Sequence, residues 1–287
     1  ANYADEPEVN APPLVADLSA PGAVTPPNTY DHALYRFQHS LRHGFHRILE
    51  GKAVPLTILT ALALSVGSLV EAIPMFFDKS NVKEIASVKP YTPLEVLGRD
   101  IYIREGCYNC HSQLVRPFRY ETERYGEYSK AGEYVYDHPF QWGSKRTGPD
   151  LARVGGKYSN EWHVQHLVAP RSMVPESVMP NYPWLLSTPL DISDTAARMK
   201  ALRKVGVPYS LSQAEYDANV TKFGETVAKQ LHIPAAQKNL VEQANFGNYD
   251  GDRSGISEMD ALVAYLQMLG TMVDFSKYAD DAFVETR

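Results

Sequence analysis

The residues with the most specific chemistry are Cys107 and Cys110, which lie three positions apart and are followed at once by His111. Each cysteine of such a pair can add its sulfur to one vinyl group of a haem, and the adjacent histidine can offer its imidazole to the iron. The chain has only two cysteines, and both fall in this motif. The spacing therefore predicts one covalently attached haem c with His111 as an iron ligand.

Two other uses of a Cys-x-x-Cys pair can be weighed against this one. A thioredoxin-like redox couple requires a βαβ setting, and a zinc site requires two further ligands at close spacing. No second cysteine pair exists, although His163 and His166 complete a set of four ligands on paper. The histidine directly after Cys110 is what a haem needs and a zinc site does not. We therefore interpret the motif as a haem site.

An amphipathic helix is predicted on each side of this motif. Thr92–Glu95 forms a capping box with proline at the first helical position, and this helix should end near Gly106. Ser257–Asp260 opens the second helix, with Gly270 as its stop. Their apolar stripes are Leu94, Leu97 and Ile101 in the first helix, and Leu262, Val263, Leu266 and Leu269 in the second.

These two stripes resemble the crossed N-terminal and C-terminal helices of class I cytochromes c. Gly98 and Tyr265 are similar to the close-contact glycine and the aromatic residue of that crossing. The resemblance implies a mainly α fold, with a class I cytochrome c-like haem domain. Thr147–Leu151 also resembles a loop of these cytochromes in which a proline carbonyl lies against the outer nitrogen of the iron-binding histidine. Pro149 is the proline of this loop. Such a bond fixes the ring and raises its basicity.

The second axial ligand has four candidates in the sequence. The Met179–Tyr182 run resembles the Met-Pro-aromatic turn that carries the axial methionine in cytochromes c, so we expect Met179 to be the ligand. Met173 is the reserve candidate, with ordinary packing as its alternative role. We interpret His163 and His166, on a helix predicted over Asn160 to Val168, as structural or facing the haem propionates.

A membrane anchor precedes the haem segment. Eighteen residues between Lys52 and Glu71 carry no charge, and a helix over residues 53–77 would be about 37 Å long, enough to cross a bilayer. A cleaved signal peptide is the alternative, but the apolar stretch is too long and lacks a small-x-small cleavage site. Glu71, near the outer end, is expected either to snorkel to the interface or to contact a neighbouring subunit or ion.

The segments before the anchor set its orientation. Residues 1–29 are rich in proline and poor in large apolar residues, which predicts a disordered or partner-draped tail. Residues 30–52 combine a basic set with apolar residues at helical spacing, which suits an amphipathic helix on membrane lipid. Under the positive-inside rule these charges stay in the cytoplasm, so the haem domain, residues 78–287, is expected in the periplasm of a bacterial inner membrane.

Two insertions are predicted in the haem domain, at about residues 116–146 and 190–255. Eight aromatic residues in the first suit either a partner interface or a flap folded over the haem. The second insertion is predicted to form helices, one over Asp191 to Val205 and another that begins with a capping box at Ser212. Asp250–Gly255 starts like a calcium loop but lacks the bidentate glutamate, which favours a polar turn. Four arginines near the haem motifs can pair with propionates, namely Arg116, Arg119, Arg146 and Arg153.

Four runs together are more specific than a generic cytochrome motif: Gly106–Pro117, Gly126–Ser129, Gly148–Arg153 and Pro175–Pro180. They closely resemble the membrane-anchored mono-haem subunit, FixO-like, of cbb3-type cytochrome c oxidases, over roughly residues 56–275. The first fifty residues look like an addition to that pattern.

This resemblance implies an electron relay with no oxygen-reducing site of its own. A di-haem cytochrome c subunit or a soluble cytochrome c would pass electrons through this haem to a separate haem–copper catalytic subunit. A free-standing, membrane-tethered electron carrier is the alternative, and a catalytic or gas-sensing haem with an open iron position is a third hypothesis. The net charge of −6 shows no basic excess of the kind that binds nucleic acid.

Overall fold

A computed structural model describes residues 49, 51–77, 82 and 84–277, and the predictions for residues 1–29 and for most of 30–52 lie outside it. The chain divides into two compact units, Ala1–Asp78 and Lys79–Arg287. Within the described residues no β-strand forms, and the only strand-like pairs are isolated bridges between Pro189 and Ser257 and between Ser210 and His232. The expected mainly α fold is confirmed.

The first unit contains α1, Ala53–Phe77, a 25-residue helix. Its Ala53–Pro74 part has a mean hydropathy of 2.0 and is, among the described residues, the one helix long and apolar enough to cross a membrane. Pro74 lies inside the helix but only near its end. The helix has the length that a bilayer-spanning anchor requires, as the uncharged stretch predicts.

The second unit is built from ten further helices and four 3₁₀ turns within the described range. The helices are α2 Pro93–Arg104, α3 Arg119–Tyr125, α4 Asn160–Val168, α5 Pro170–Met173, α6 Trp184–Ser187, α7 Thr195–Lys204, α8 Gln213–Phe223, α9 Glu225–Gln230, α10 Ala236–Gly247 and α11 Glu258–Met268. The 3₁₀ turns are Cys107–Asn109, Ala131–Tyr134, Ile233–Ala235 and Phe275–Lys277.

The crossing of α2 and α11 forms the centre of the core. Both helices begin with the capping boxes that the sequence predicts, at Thr92 and at Ser257. Gly98 lets the two backbones approach, because a Cβ at this position would lie 1.9 Å from the Ala261 carbonyl oxygen. The fully buried ring of Tyr265 lies beside the same glycine. The crossing expected from the class I resemblance is therefore present.

The insertion at residues 116–146 is partly folded and partly exposed. A buried ion pair, Arg99 Nε to Asp137 Oδ1 at 2.6 Å, ties it to α2. Tyr134 is buried against the ring of Trp142, with ring centroids 5.5 Å apart. Phe118 and Tyr120 are instead 51% and 62% exposed. The aromatic run thus has a buried part and an exposed part, which also includes Phe140 at 47%. A flap over the haem and a partner interface both stay predictions.

The second insertion differs from its prediction in two places. α7 begins at Thr195 rather than at Asp191, because residues 191–194 form a turn in which Asp191 Oδ1 accepts a hydrogen bond from Ser193 N at 2.9 Å. The helix that starts at Ser212 is also not continuous, because Gly224 has φ +86 and separates α8 from α9. A left-handed φ is open to glycine and ends the helical hydrogen bonding there.

The acidic turn before α11 uses its carboxylates on its own backbone and hydroxyl groups. Asp250 Oδ1 accepts from Asp252 N at 2.8 Å, and Asp252 Oδ1 accepts from Ser254 N at 2.8 Å. Asp250 Oδ2 accepts the Ser257 hydroxyl at 2.6 Å, and Asp260 accepts the Asp250 N–H at 3.0 Å. The segment has the bonding of the polar turn that the sequence favours over a calcium loop.

Candidate cofactor-binding site

A cavity of about 530 Å³ lies on one side of the α2–α11 crossing. Its volume is within the range of pockets that enclose a small-molecule cofactor. The six residues expected to bind the cofactor all line this one cavity: Cys107, Cys110, His111, Pro149, Arg153 and Met179. Met173, the reserve methionine, does not line it. The fold thus brings together residues that are far apart in the chain.

The cysteine motif is positioned by the end of α2. Gly106 takes a left-handed conformation with φ +70, which turns the chain directly after the helix. Cys107–Asn109 then forms a 3₁₀ turn, in which the N–H groups of Cys110 and His111 both donate to the Cys107 carbonyl, at 3.1 and 2.9 Å. This tight turn places both cysteines and the histidine on the wall of the cavity.

The ring of His111 is fixed by the proline loop. His111 Nδ1 lies 2.8 Å from the Pro149 carbonyl oxygen, so Nδ1 carries the proton and donates it. The tautomer follows from this hydrogen bond and leaves Nε2 with a free lone pair. Gly148 leaves no space behind the ring, since a Cβ there would lie 2.3 Å from His111 Cε1. Burial lowers the pKa of His111 against the opposing bond to Pro149, which keeps the imidazole neutral.

Cys107 lacks the lowered pKa of a thioredoxin-like nucleophile. Burial, followed by the nearby Glu105 carboxylate, raises the pKa of the Cys107 thiol to about 12. Thioredoxin-like cysteines have a lowered pKa, because their chemistry needs a thiolate. The described residues also contain no cluster of three or more metal-ligating side chains, which counts against zinc held by His163 and His166.

His163 and His166 line the cavity within an aromatic group on α4. The Trp162 ring stacks on His166 at 4.6 Å between centroids and meets the edge of His163 at 5.5 Å. Burial, and then the neighbouring His166, lower the pKa of His163 to about 4. Burial also lowers the pKa of His166. Both histidines lie in a packed wall of the cavity, and whether their role is structural or facing the haem propionates stays a prediction.

The remaining wall is largely apolar and comes from residues for which the sequence predicted no contact with a cofactor. The list is Tyr102, Leu151, Val154, Leu167, Tyr182, Leu262 and Leu266. An apolar cavity with a few fixed polar groups suits a large planar ring with one polar centre. The apolar periodicity of α2 and α11 predicts that such residues are buried, but it does not show which of them face a cofactor.

The chain matches the family model described as cytochrome c oxidase, mono-heme subunit/FixO, over residues 46–273. The match spans most of the 287 residues. The chain belongs to the FixO family. It is therefore a mono-haem subunit of a cytochrome c oxidase with a role in electron transfer, and haem is the cofactor that its family implies. A search of curated proteins gives no match.

In this FixO chain the arginines near the site bind protein carboxylates. Arg153 Nη1 pairs with Glu133 at 2.5 Å, and its side chain also lines the cavity. Arg119 pairs with Glu123 at 2.7 Å on the exposed side of α3. Arg116 and Arg146 both bind Glu121, which has no exposed surface. Pairing of Arg153 with a propionate stays a prediction.

Glu121 is the residue that sequence reasoning missed. It lies on α3 among exposed charged residues and forms no recognisable motif. Burial alone would raise its pKa, but hydrogen bonds from Arg146, the Arg116 backbone and side chain, and Tyr120 outweigh burial and lower the pKa to about 2. No local sequence signal separates this glutamate from Glu123, its solvent-exposed neighbour.

Proposed function

We propose that this FixO subunit relays electrons to the oxygen-reducing centre of a cbb3-type oxidase. A di-haem cytochrome c subunit or a soluble cytochrome c supplies the electrons, and a haem–copper catalytic subunit receives them and reduces oxygen to water. The observation that carries the proposal is the single cavity that gathers Cys107, Cys110, His111 and Met179. A cysteine pair with two axial donors is the residue set of an electron-transfer haem c.

The four residues have distinct roles in this proposal. Cys107 and Cys110 would hold the haem covalently through their sulfurs, and His111 Nε2 and the Met179 sulfur would bind its iron. A haem c held in this way supplies a reversible one-electron couple of its iron, and thioether ligation raises the reduction potential. The hydrogen bond to the Pro149 carbonyl orients His111 and increases the basicity of its free nitrogen.

The apolar wall of the cavity determines the polarity around the one-electron couple of the haem iron. Leu167, Leu262 and Leu266 are buried in the core that the α2–α11 crossing forms, and they line the cavity without offering a polar group. A hydrophobic shell limits the access of water and so influences the reduction potential. These residues hold the site in the low-dielectric medium that a high-potential relay requires.

The proposed orientation places the haem unit in the periplasm of a bacterial inner membrane. Lys52 lies directly before α1, and Arg36, Arg42 and Arg47 precede it in the sequence, so the positive-inside rule assigns this end to the cytoplasm. Covalent attachment of haem to reduced cysteines takes place outside the bacterial cytoplasm. Both considerations support the same orientation, with α1 in contact with lipid.

Native separation of mildly solubilised membranes tests the function. The gel is stained for covalent haem, and oxygen reduction is assayed in the same band. We expect haem staining of this chain within a band that also holds b-type haem and oxidase activity. A lone haem-staining band at the size of this chain, reproduced in several gentle detergents, would instead support the free-standing carrier.

A further inference from the structure

Glu121 lies at the centre of a polar network that connects the 116–146 insertion to Asp150 on the cavity wall. Its carboxylate is fully buried and accepts hydrogen bonds from Arg116 N at 2.9 Å, Arg146 Nη2 at 2.8 Å and the Tyr120 hydroxyl at 3.1 Å. The Arg116 side chain pairs with the same carboxylate. A buried carboxylate with this many donors is held in one position, since loss of any partner leaves a desolvated charge.

Arg146 carries the contact from Glu121 to the segment that follows the axial histidine. Its Nε donates to the Ser112 hydroxyl at 2.7 Å, and its Nη2 donates to the Leu114 carbonyl at 2.8 Å. Ser112 directly follows His111 and donates its own hydroxyl proton to Asp150 Oδ2 at 2.6 Å. One guanidinium thus fixes the chain on the C-terminal side of His111.

Asp150 closes the network onto the proline loop. Its Oδ2 also accepts Leu114 N at 2.9 Å, and its Oδ1 accepts Ala152 N at 2.8 Å. Arg146 Nη2 lies 3.3 Å from the same Oδ2. Asp150 directly follows Pro149, so these hydrogen bonds also hold the Pro149 carbonyl, which accepts a hydrogen bond from His111 Nδ1.

We propose that Glu121 is a positioning residue for the axial His111. It anchors Arg146, which with Asp150 holds the Pro149 carbonyl at the distance that orients the imidazole. Two guanidiniums balance the charge of the two buried carboxylates, and the Arg116 side chain, 46% exposed, reaches solvent, so neither carboxylate is left as an unpaired buried charge. The inference rests on the proposed function, in which His111 binds the haem iron.

The test is a potentiometric titration of the haem c in the purified oxidase complex. Glu121→Gln removes the charge and keeps the size of the side chain, whereas Glu123→Gln makes the same change on the exposed side of α3. We expect the reduction potential to rise in E121Q and to stay unchanged in E123Q. At an effective dielectric near 20, loss of one nearby charge changes the equilibrium constant for oxidation on the order of tenfold, which for one electron is about 59 mV.

A second variant separates positioning from charge and covers the case in which E121Q does not assemble. Arg146→Lys keeps the positive charge but loses the fork that joins Glu121, Ser112 and Leu114. We expect its potential to rise as well, because a loosened proline loop weakens the hydrogen bond that makes His111 basic. An unchanged potential in R146K would overturn the positioning role, whatever E121Q shows.

The wild-type spectrum separates this inference from the function on which it rests. A low-spin spectrum with histidine and methionine ligation supports the proposed site. If wild type shows that spectrum and E121Q keeps the wild-type potential, the positioning role of Glu121 is wrong and the relay stands. If wild type lacks that spectrum, the proposed ligand set fails, and the positioning role fails with it.

Discussion

Replacing Gly98 by alanine tests the helix crossing on which the cavity is built. In an exposed helix this change would stabilise the protein by about 1 kcal/mol, because alanine favours the helical conformation. Here the new Cβ would lie 1.9 Å from the Ala261 carbonyl oxygen and 2.8 Å from Tyr265 Cβ. We therefore expect the opposite sign, with Gly98→Ala destabilising the haem unit.

The size of the effect follows from the separation that the methyl group imposes. Real Cβ atoms essentially never approach closer than 3.0 Å, so α2 and α11 must separate locally by 3.0 − 1.9 = 1.1 Å. A gap of that size removes a quarter to a half or more of the dispersion energy of the facing contacts. Overpacking typically costs about 1–3 kcal/mol, and a rigid backbone carbonyl places this case near 3. After subtracting about 1 kcal/mol for helix propensity, about 2 kcal/mol remains.

Thermal unfolding of the purified, haem-containing chain in detergent measures this difference. For a unit of this size, 2 kcal/mol corresponds to a Tm lower by about 4–8 °C. Gly255→Ala is the matched control, because nothing lies within 4 Å of its Cβ and its φ is not in the left-handed range. We expect the control to melt at or slightly above the wild-type temperature. A Gly98→Ala protein that melts with the control would refute the close crossing.

Three further predictions concern the site itself. Gly148→Ala should displace the His111 ring by about 1 Å and weaken its hydrogen bond to Pro149, which lowers the free energy of unfolding by roughly 2–4 kcal/mol. The haem spectrum and reduction potential should shift with the ring, and an unaltered spectrum would contradict the close packing of Gly148 against it. Met179→Ala should lower the reduction potential and change the spectrum, because a thioether ligand is lost, whereas Met173→Ala should leave both as in wild type. The depressed pKa of Glu121 means that its charged form stabilises the fold above about pH 5, and that this stability is lost as pH falls towards 2. Denaturant midpoints measured across that range should fall with pH in wild type and more weakly in E121Q.

The cofactor motif and the main helices could be predicted from the sequence because they depend on residues that are close together in the chain. The Cys107–His111 spacing depends only on neighbouring residues, as do the capping boxes at Thr92, Ser212 and Ser257, which the structure contains. Gly98 and Tyr265 were predicted through the resemblance to class I cytochromes c, since apolar periodicity marks a buried helix face but not the residues at which two helices touch. The uncharged stretch of α1 is equally local, since a bilayer requires only length and apolarity.

Only the tertiary structure decided which distant residues share the cavity and which charges are buried. Met179 lines the cavity and Met173 does not, although Met173 ends α5 and Met179 lies in the loop that directly follows it. Glu121 and Glu123 are neighbours of the same type on one helix, yet one is fully buried and the other is exposed. The side of a short helix that faces inward depends on long-range packing against Arg146 and the proline loop. No residue within a few positions encodes that partner, so sequence pattern alone does not distinguish the two glutamates.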